Sequence, residues 1–429
     1  MRLYSSLCGF LLCALSVNAT SHPDLVRYVN TLQGTLSNFG LSHGNTFPAT
    51  AMPYAQHMWT PQTGPNGEGF KYLYESDQIR GFGQSHQPSP WVSDYAVYTF
   101  FPETGNLEVD PDKRGARFCH CKEVGQPHYY SVTFDNGIRT EMAPTERGVH
   151  LRFSYPKKQD AYLVIDGYTA ESEIHVNPEK RQVTGWVNNQ RFVNHSENFR
   201  CFFVIQFDQP ILDYGTWEGE NKKTFPHEKD GQGKRYGCYL KFRPGSKVQA
   251  RAASSYISEE QAWQNWRSEL GSNKNLEQTK KRGFETWNAL LNRIQVEGGS
   301  EEQLRTFYSC LFRANLFSRH FYEYKADDRA PYYYSPYDGK IHDGYMLTDN
   351  GFWDTFRSQF PLTNILHPTQ QGRYMQALLD AQKQFGWLPA WSCPGETGGM
   401  CGNHSISLLA DAWAKGIHSF DPDSALTAY

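Results

Sequence analysis

A chain of 429 residues exceeds what one ordinary hydrophobic core encloses, so two or more domains are expected. Lys and Arg number 42 against 45 Asp and Glu, a net charge of −3, which provides neither a basic field for nucleic acid nor an acidic tail of the solvating kind. Aromatic residues are abundant (26 Tyr, 27 Phe, 11 Trp), and many fall in polar, Gly- and Pro-rich segments where core packing does not require them, a pattern shared by carbohydrate-handling proteins and β-sandwiches.

Arg2 precedes an apolar run, Leu7–Val17, and the small-residue pattern Val17-Asn18-Ala19, so residues 1–19 read as a secretory signal and the mature chain as secreted or periplasmic. Leu11-Leu12 ahead of Cys13 disfavours a lipid anchor there, and no other apolar stretch reaches membrane-spanning length. Seven cysteines remain beyond the signal, an odd number that argues against a dense disulfide framework. Cys119-His120-Cys121 lacks a second pair at zinc spacing and reads as a strand with alternating buried thiols.

Two early segments carry polar and aromatic residues that a core would not ask for. Residues 41–53 contain His43, Gly44, Asn45 and Thr46, with a glycine that permits close backbone approach to a ligand. Residues 79–94 place His86 and Trp91 in a loop braced by Pro88 and Pro90. From Val97 to Ile257 short runs alternate with period two: 129–134, 138–143, 148–155, 161–168, 201–209, 237–242 and 247–257. Their spacing predicts an antiparallel β-sandwich. Asp135-Asn136-Gly137 is a hairpin signal, and the polar stretch 215–233 reads as an exposed loop.

At Ser258 the period changes. Ser258-Glu259-Glu260-Gln261 is a capping-box pattern, a second helix is expected over 276–296 with Phe284, Trp287, Leu290, Leu291 and Ile294 on one stripe, and Ser300-Glu301-Glu302-Gln303 repeats the box. Further helices are expected near 350–360, at 369–385 before Gly386, at 405–415 before Gly416, and from Pro422 onward. The domains expected are thus a signal at 1–19, a β-sandwich at 20–257, a helical linker at 258–297 and a helical domain from 298 to 429.

Within Gly351–Leu362, GFWDTFRSQFPL, a helix stopped by Pro361 would set Trp353, Asp354 and Arg357 within one turn. An indole covers the C–H face of a pyranose while a carboxylate accepts its hydroxyl protons, so the pair suits a sugar. A core Trp beside an Asp–Arg ion pair explains the same residues. The segments 386–391, GWLPAW, and 398–411, in which Gly402-Asn403-His404 precede a helix whose N–H groups could meet a hydroxyl or carboxylate, complete the set. No G-x-S-x-G elbow is present, and Cys401 with His404 lacks an orienting third group. The conspicuous acids Asp349, Asp354, Glu396 and Asp411 form no evident acid–base pair.

Six ordered motifs, HGNTFPAT, IRGFGQSHQPSPWVSDY, PHYYSVTF running into RTEMAPTERGVHLRF, GFWDTFRSQFPL, GWLPAW and MCGNHSISLLADAWAKGI, resemble glycoside hydrolase family 92, the calcium-dependent exo-α-mannosidases, from about Tyr28 onward. The resemblance implies an N-terminal β-sandwich, a helical linker and an (α/α)6 barrel, with inverting removal of terminal α-mannose from N-glycan or mannan chains. It implies that Trp353 and Asp354 hold the terminal mannose, that the loops of His43, Gly44, Asn45 and Thr46 and of His86 and Trp91 close the pocket, and that Gly402, Asn403 and His404 lie at the barrel mouth. The family's catalytic glutamate, base aspartate and most Ca2+ ligands are expected beyond the position of Tyr429, so no catalytic residue is assigned, the metal ligands stay unknown, and the chain is expected to be an inactive first part of the barrel. A glycan-binding fragment without turnover, or another sandwich-plus-barrel glycosidase, remain the alternatives.

Overall fold

The computed structural model describes residues 22–38, 40, 43–190, 198–219, 221–272 and 275–428; the expected signal at 1–19 lies outside them. Between residues 58 and 255 all strand pairs are antiparallel and fall into two sheets. One sheet, of seven strands among the described residues, runs in the order Met58–Gln62, Gly81–Ser85, Thr99–Thr104, Ala161–Asp166, Tyr236–Phe242, Asp213–Glu218, Lys223–Pro226. The other, of ten, is centred on Lys247–Ser255, which pairs with Cys201–Phe207 on one side and Gly148–Ser154 on the other.

Rings from the two sheets meet in the interior between them. Phe100 lies 6.4 Å from Phe153 and Phe207 lies 5.6 Å from Phe242 between centroids, with Tyr98 stacked on Phe203 at 4.5 Å. This is the sandwich that the period-two runs predict. The hairpin at Asp135-Asn136-Gly137 forms with Gly137 at φ 89°. Residues 215–233 depart from expectation: they hold most of Asp213–Glu218, Lys223–Pro226 and Asp230–Lys234. The last two are sheet edges held by backbone pairing with little side-chain burial, so composition alone does not announce them.

Cys119 and Cys121 also differ from the expected buried thiols. Both are exposed and joined to each other, where the pairing between Ala116–Gln126 and Tyr129–Phe134 shifts register between Phe118 and Glu123. Cys201, Cys238, Cys310, Cys393 and Cys401 are free.

Helix α1 (Glu259–Glu269) begins where the last long strand ends and lies on the outer face of the ten-stranded sheet, with Ala262 and Leu270 packed on Val204 and Ala253. Only half of its expected capping box forms. Ser258 accepts from the Gln261 amide, but the Gln261 side chain reaches Asn265 and the Tyr324 carbonyl instead. Helix α2 (Leu276–Leu291) follows, and α3 (Glu301–Ala314) starts with the full reciprocal box of Ser300 and Gln303. Ser300→Ala is expected to cost about 1 kcal/mol, measured by urea denaturation.

The N-terminal segment that the sequence groups with the sandwich packs instead on α2 and α3. Leu25, Val26, Tyr28, Phe47 and Ala51 share a core with Trp287, Leu291, Tyr308 and Phe312, and the Trp287 indole N–H donates to the Ala51 carbonyl at 2.7 Å.

After α3, short strand pairs alternate with α4 (Phe352–Thr355), α5 (Gln359–Leu366), α6 (Pro368–Phe385), α7 (Ser405–Ala414) and α8 (Pro422–Thr427). Pro361 does not stop a helix. It sits in the first turn of α5, where a missing N–H removes no intrahelical bond. Gly386 ends α6 in the left-handed conformation at φ 93°. Among the described residues, no helix is long and apolar enough to cross a membrane.

Candidate active site

Three of the sequence-selected segments converge in the helical domain. Asn350–Gly351 pairs with Trp391–Ser392, and a Cβ at Gly351 would stand 2.2 Å from the Trp391 indole nitrogen, so only glycine lets the two strands meet. Phe352, next in sequence, is buried against Phe360 and Tyr374. Its burial turns Trp353 and Asp354 outward, with Trp353 36% exposed. Phe356 stacks on His404 with centroids 4.4 Å apart and planes within 8°, and the Ser405 hydroxyl donates to the Pro389 carbonyl. The Trp353 turn, the GWLPAW segment and the Asn403-His404 loop therefore form one surface.

The expected Asp354–Arg357 pair does not form. The Arg357 guanidinium lies over the Trp353 and Phe356 rings, 4.8 Å from each centroid, and donates to the Trp353 carbonyl at 3.2 Å. Cation–π stacking on two rings outweighs an exposed ion pair, whose Coulombic gain in water is small. Among the described residues Asp354 has no ion-pair partner, so its carboxylate is free to accept from a ligand. Gly402 and Asn403, just before His404, are exposed, and α7 carries no side-chain cap on its first turn.

The remaining acids are engaged. Glu396 accepts from the amides of Ala390, Trp391 and Gly398. Asp411 accepts from Asn364 and pairs with Lys415. Asp349 is fully buried against Arg319 and the Tyr95 hydroxyl.

The loop of His86 and Trp91 divides. Trp91 is 52% exposed, edge-on to Phe70. His86 has no exposed surface and sits in a polar network beneath the loop. Its Nδ1–H donates to the Tyr95 carbonyl at 2.7 Å, so Nε2 is the acceptor for the Tyr256 hydroxyl at 3.1 Å and for His57 Nδ1–H at 2.8 Å. Burial holds the His86 imidazole down to about 4 and His57 well below its ordinary value.

Asp94 accepts from Ser85 and the His86 amide and pairs with buried Lys71 at 2.8 Å. Burial alone would raise the Asp94 carboxyl, but Lys71 and His86 drive it below the usual range. Arg319 also donates to the Gln56 carbonyl, so the network joins the loops of the sandwich to the strand pair of Arg319–His320 and Leu347–Thr348. Lys71, Asp94, Tyr95 and Arg319 were not singled out from the sequence. His86 and Asp94 eight residues apart in one Pro-braced loop were the available signal.

The loop of His43, Gly44, Asn45 and Thr46 closes on the segment before it. His43 Nδ1 meets the Leu36 carbonyl at 3.0 Å, the Asn45 amide donates to Ser37 at 3.1 Å, and the Thr46 hydroxyl donates to the Gln33 carbonyl at 2.7 Å. Gly44 at φ 118° leaves no room for a Cβ, which would stand 2.6 Å from Gly34 Cα. Asn45 Oδ1 is buried without a partner, a hard oxygen of the kind a cation takes. Among the described residues no cluster of three or more His, Cys, Asp or Glu is arranged to hold a metal.

The family model described as the glycosyl hydrolase family 92 N-terminal domain matches residues 28–255, and that of the family 92 catalytic domain matches residues 261–429. The match over 261–429 lends no support to the expectation of an inactive fragment. Among solved structures, the family GH92 inverting mannosidase BT2199 of Bacteroides thetaiotaomicron is 44% identical, with a TM-score of 0.92 over 94% of this chain and 55% of its own. The GH92 α-mannosidase BT3965 of the same organism, 23% identical, shares the fold at a TM-score of 0.83 over 95% of this chain and 56% of its own. An uncharacterized secreted glycosidase of Arthroderma benhamiae is 23% identical over 96% of this chain and 52% of its own. The chain thus spans about half the length of the relatives it matches. From the two domain models in their order, the β-rich domain followed by the helical one, and the 44% identity to BT2199, this chain belongs to glycosyl hydrolase family 92.

Proposed function

We propose that this chain acts on glycans of the N-glycan or mannan type as a secreted, inverting exo-α-mannosidase, with its later helices belonging to an (α/α)6 barrel. The observation that carries the reading is the outward-facing Trp353–Asp354 pair, fixed by the Gly351–Trp391 contact below and the Phe356–His404 stack beside it. BT2199, at 44% identity, bears the name of an inverting mannosidase, and the Arthroderma relative that of a secreted glycosidase.

In this reading the Trp353 indole covers the C–H face of the terminal mannose and Asp354 accepts protons from its hydroxyls. Arg357, lying over the indole, holds that ring in place. Inversion needs a carboxylic acid and a carboxylate about 6.5–9.5 Å apart across the bond. Asp349, Glu396 and Asp411 are each committed to structural partners, and neither role is assigned to them. Calcium is part of the proposal as the family's ion. The described residues supply Asn45 Oδ1 but not the six to eight oxygens such an ion takes, so they do not make up its site and no step is routed through it.

Mannose release from an aryl α-mannoside and from α-linked mannobiose, with Ca2+ and with chelator, tests the reading. Turnover giving β-mannose first by NMR supports it. A folded protein with neither turnover nor saturable mannoside binding overturns it. Binding without turnover would favour the glycan-binding reading, to which the engagement of Glu396 and Asp411 lends weight. Trp353→Ala is expected to weaken mannoside binding about tenfold, the loss of one aromatic face. Asp354→Asn should cost about as much or more, with the melting temperature unchanged because both side chains are exposed.

A further inference from the structure

A polar cavity of about 220 Å3 lies where the turn at Thr145–Arg147 meets α1, α2 and the segment after Glu323–Tyr324. None of its lining residues belongs to the Trp353, GWLPAW or Asn403-His404 segments, so it is separate from the surface described above. Its volume is far above the ~10–15 Å3 that one water needs.

The charges around it do not balance. Arg147, Arg282, Lys325 and Arg329 line the cavity against Glu146 and Glu269. Buried Arg147 takes both acids, Glu146 at 3.0 Å and Glu269 at 3.1 Å, and Glu146 is further shared with His320 at 2.8 Å. Lys325 pairs with Asp343 at 2.6 Å. Arg282 donates to the Glu269 backbone carbonyl at 2.6 Å, and Arg329 lies over the Tyr324 ring at 5.5 Å. Among the described residues neither of these two guanidiniums has an ion pair. A second observation is independent of charge: Thr145 is 2% exposed, lines the cavity, and its hydroxyl has no partner. A buried hydroxyl left without a partner costs free energy that a ligand oxygen would recover.

We propose that this cavity is a binding site for a tetrahedral oxyanion, a phosphate or sulfate group either free or esterified to a glycan. The forked donors of Arg282 and Arg329 match two oxygens of such a group, Lys325 adds a point charge, and Thr145 Oγ1 donates to a third oxygen. A neutral sugar would leave both guanidiniums without a counter-charge.

Calorimetric titration of the full chain at low salt with inorganic phosphate, mannose 6-phosphate and mannose tests this. Saturable binding of phosphate is expected, weakened about tenfold or more in Arg329→Ala and in Arg282→Ala, less in Arg329→Lys, and falling as salt rises. Thr145→Val, close in shape, should weaken it severalfold. Tighter binding of the sugar phosphate than of the free ion would identify an esterified glycan as the source, and the reverse would identify the free ion. The proposal is overturned if phosphate shows no saturable uptake up to tens of millimolar, if Arg329→Ala binds as the parent does, or if Trp353→Ala rather than these variants removes the binding.

Discussion

Asp349→Asn is expected to lower the unfolding free energy by about 3–5 kcal/mol, read as a fall in the urea midpoint at unchanged slope. Asp349 and Arg319 are both without exposed surface, and among the described residues the carboxylate is the only countercharge that the guanidinium meets; its other partners are the Gln56 carbonyl and the Tyr95 hydroxyl. Asparagine preserves the shape but leaves a full positive charge in the interior. Burial already pushes the Asp349 carboxyl up to about 6 against the pull of Arg319 and Tyr95, so the ion pair as a whole is costly to hold. The double variant Asp349→Leu with Arg319→Met removes both charges and is expected to cost less than the two single changes added together. Additive losses would mean that the two side chains are not coupled, and a loss under 1 kcal/mol for Asp349→Asn would sink the assignment of this pair as the buried anchor that the Gln56 carbonyl and the Tyr95 hydroxyl join.

The melting temperature is expected to fall as pH drops from about 6.5 to about 4. Burial holds His86, His128, His150 and His367 down to about 4 and His57 well below its ordinary value. Unfolded histidines take up protons near 6.5, so between 6.5 and 4 the unfolded chain binds more protons than the folded one and stability declines with falling pH. Four acids oppose this. Burial raises Glu103 to about 7 and Asp349 to about 6 and lifts Glu323 and Asp380 above their ordinary values, and their folded forms take up protons first, a gain as pH falls toward 4.

Each histidine held near 4 is worth about 3 kcal/mol by pH 4, and Glu103 and Asp349 somewhat less each, so the five histidines are expected to outweigh the four acids. The hydrogen bonds favour the same outcome, since a proton on His86 Nε2 would displace two donors, from Tyr256 and His57. Thermal scans at pH 7, 6, 5 and 4.5 check the sign. A melting temperature that rose on acidification would show that the carboxyls dominate.

Much of the fold was legible because burial repeats at a fixed spacing. The run Tyr129–Phe134 matches its strand to the residue, and the Trp287 and Leu291 stripe lies on the buried side of α2. The stop signals at Gly386 and Gly416 work for a local reason, a left-handed residue that a Cβ disfavours. Edge strands were not legible: Asp230–Lys234 is held by backbone pairing to Glu171–Asn177, and nothing in its side chains reports that. Pro361 misled because one proline suits both the end of a helix and its first turn, and only the chain path around Ser358 decides between them.

The candidate site divides in the same way. Trp353 and Asp354 could be named from chemistry, but the competing Asp354–Arg357 pair was equally consistent with the spacing until the guanidinium was found over two rings. His86 could be noticed, yet its place beneath the loop depends on Asp94 of the same loop and on Lys71, His57 and Tyr256, which come from three other stretches.

By itself, the sequence determined what depends on neighbours within a few residues: the change from strand to helix at Ser258, the caps at Ser300 and Gly386, and the ordered motifs that mark the family. Tertiary structure alone decided which charges are buried, which carboxylates are committed, and that the N-terminal segment completes the helical core. Those outcomes rest on contacts between residues far apart in the chain, such as Arg319 with Gln56 and Trp287 with Ala51. Whether a carboxylate there ends up free or spent depends on the partner the fold delivers, which no local pattern encodes.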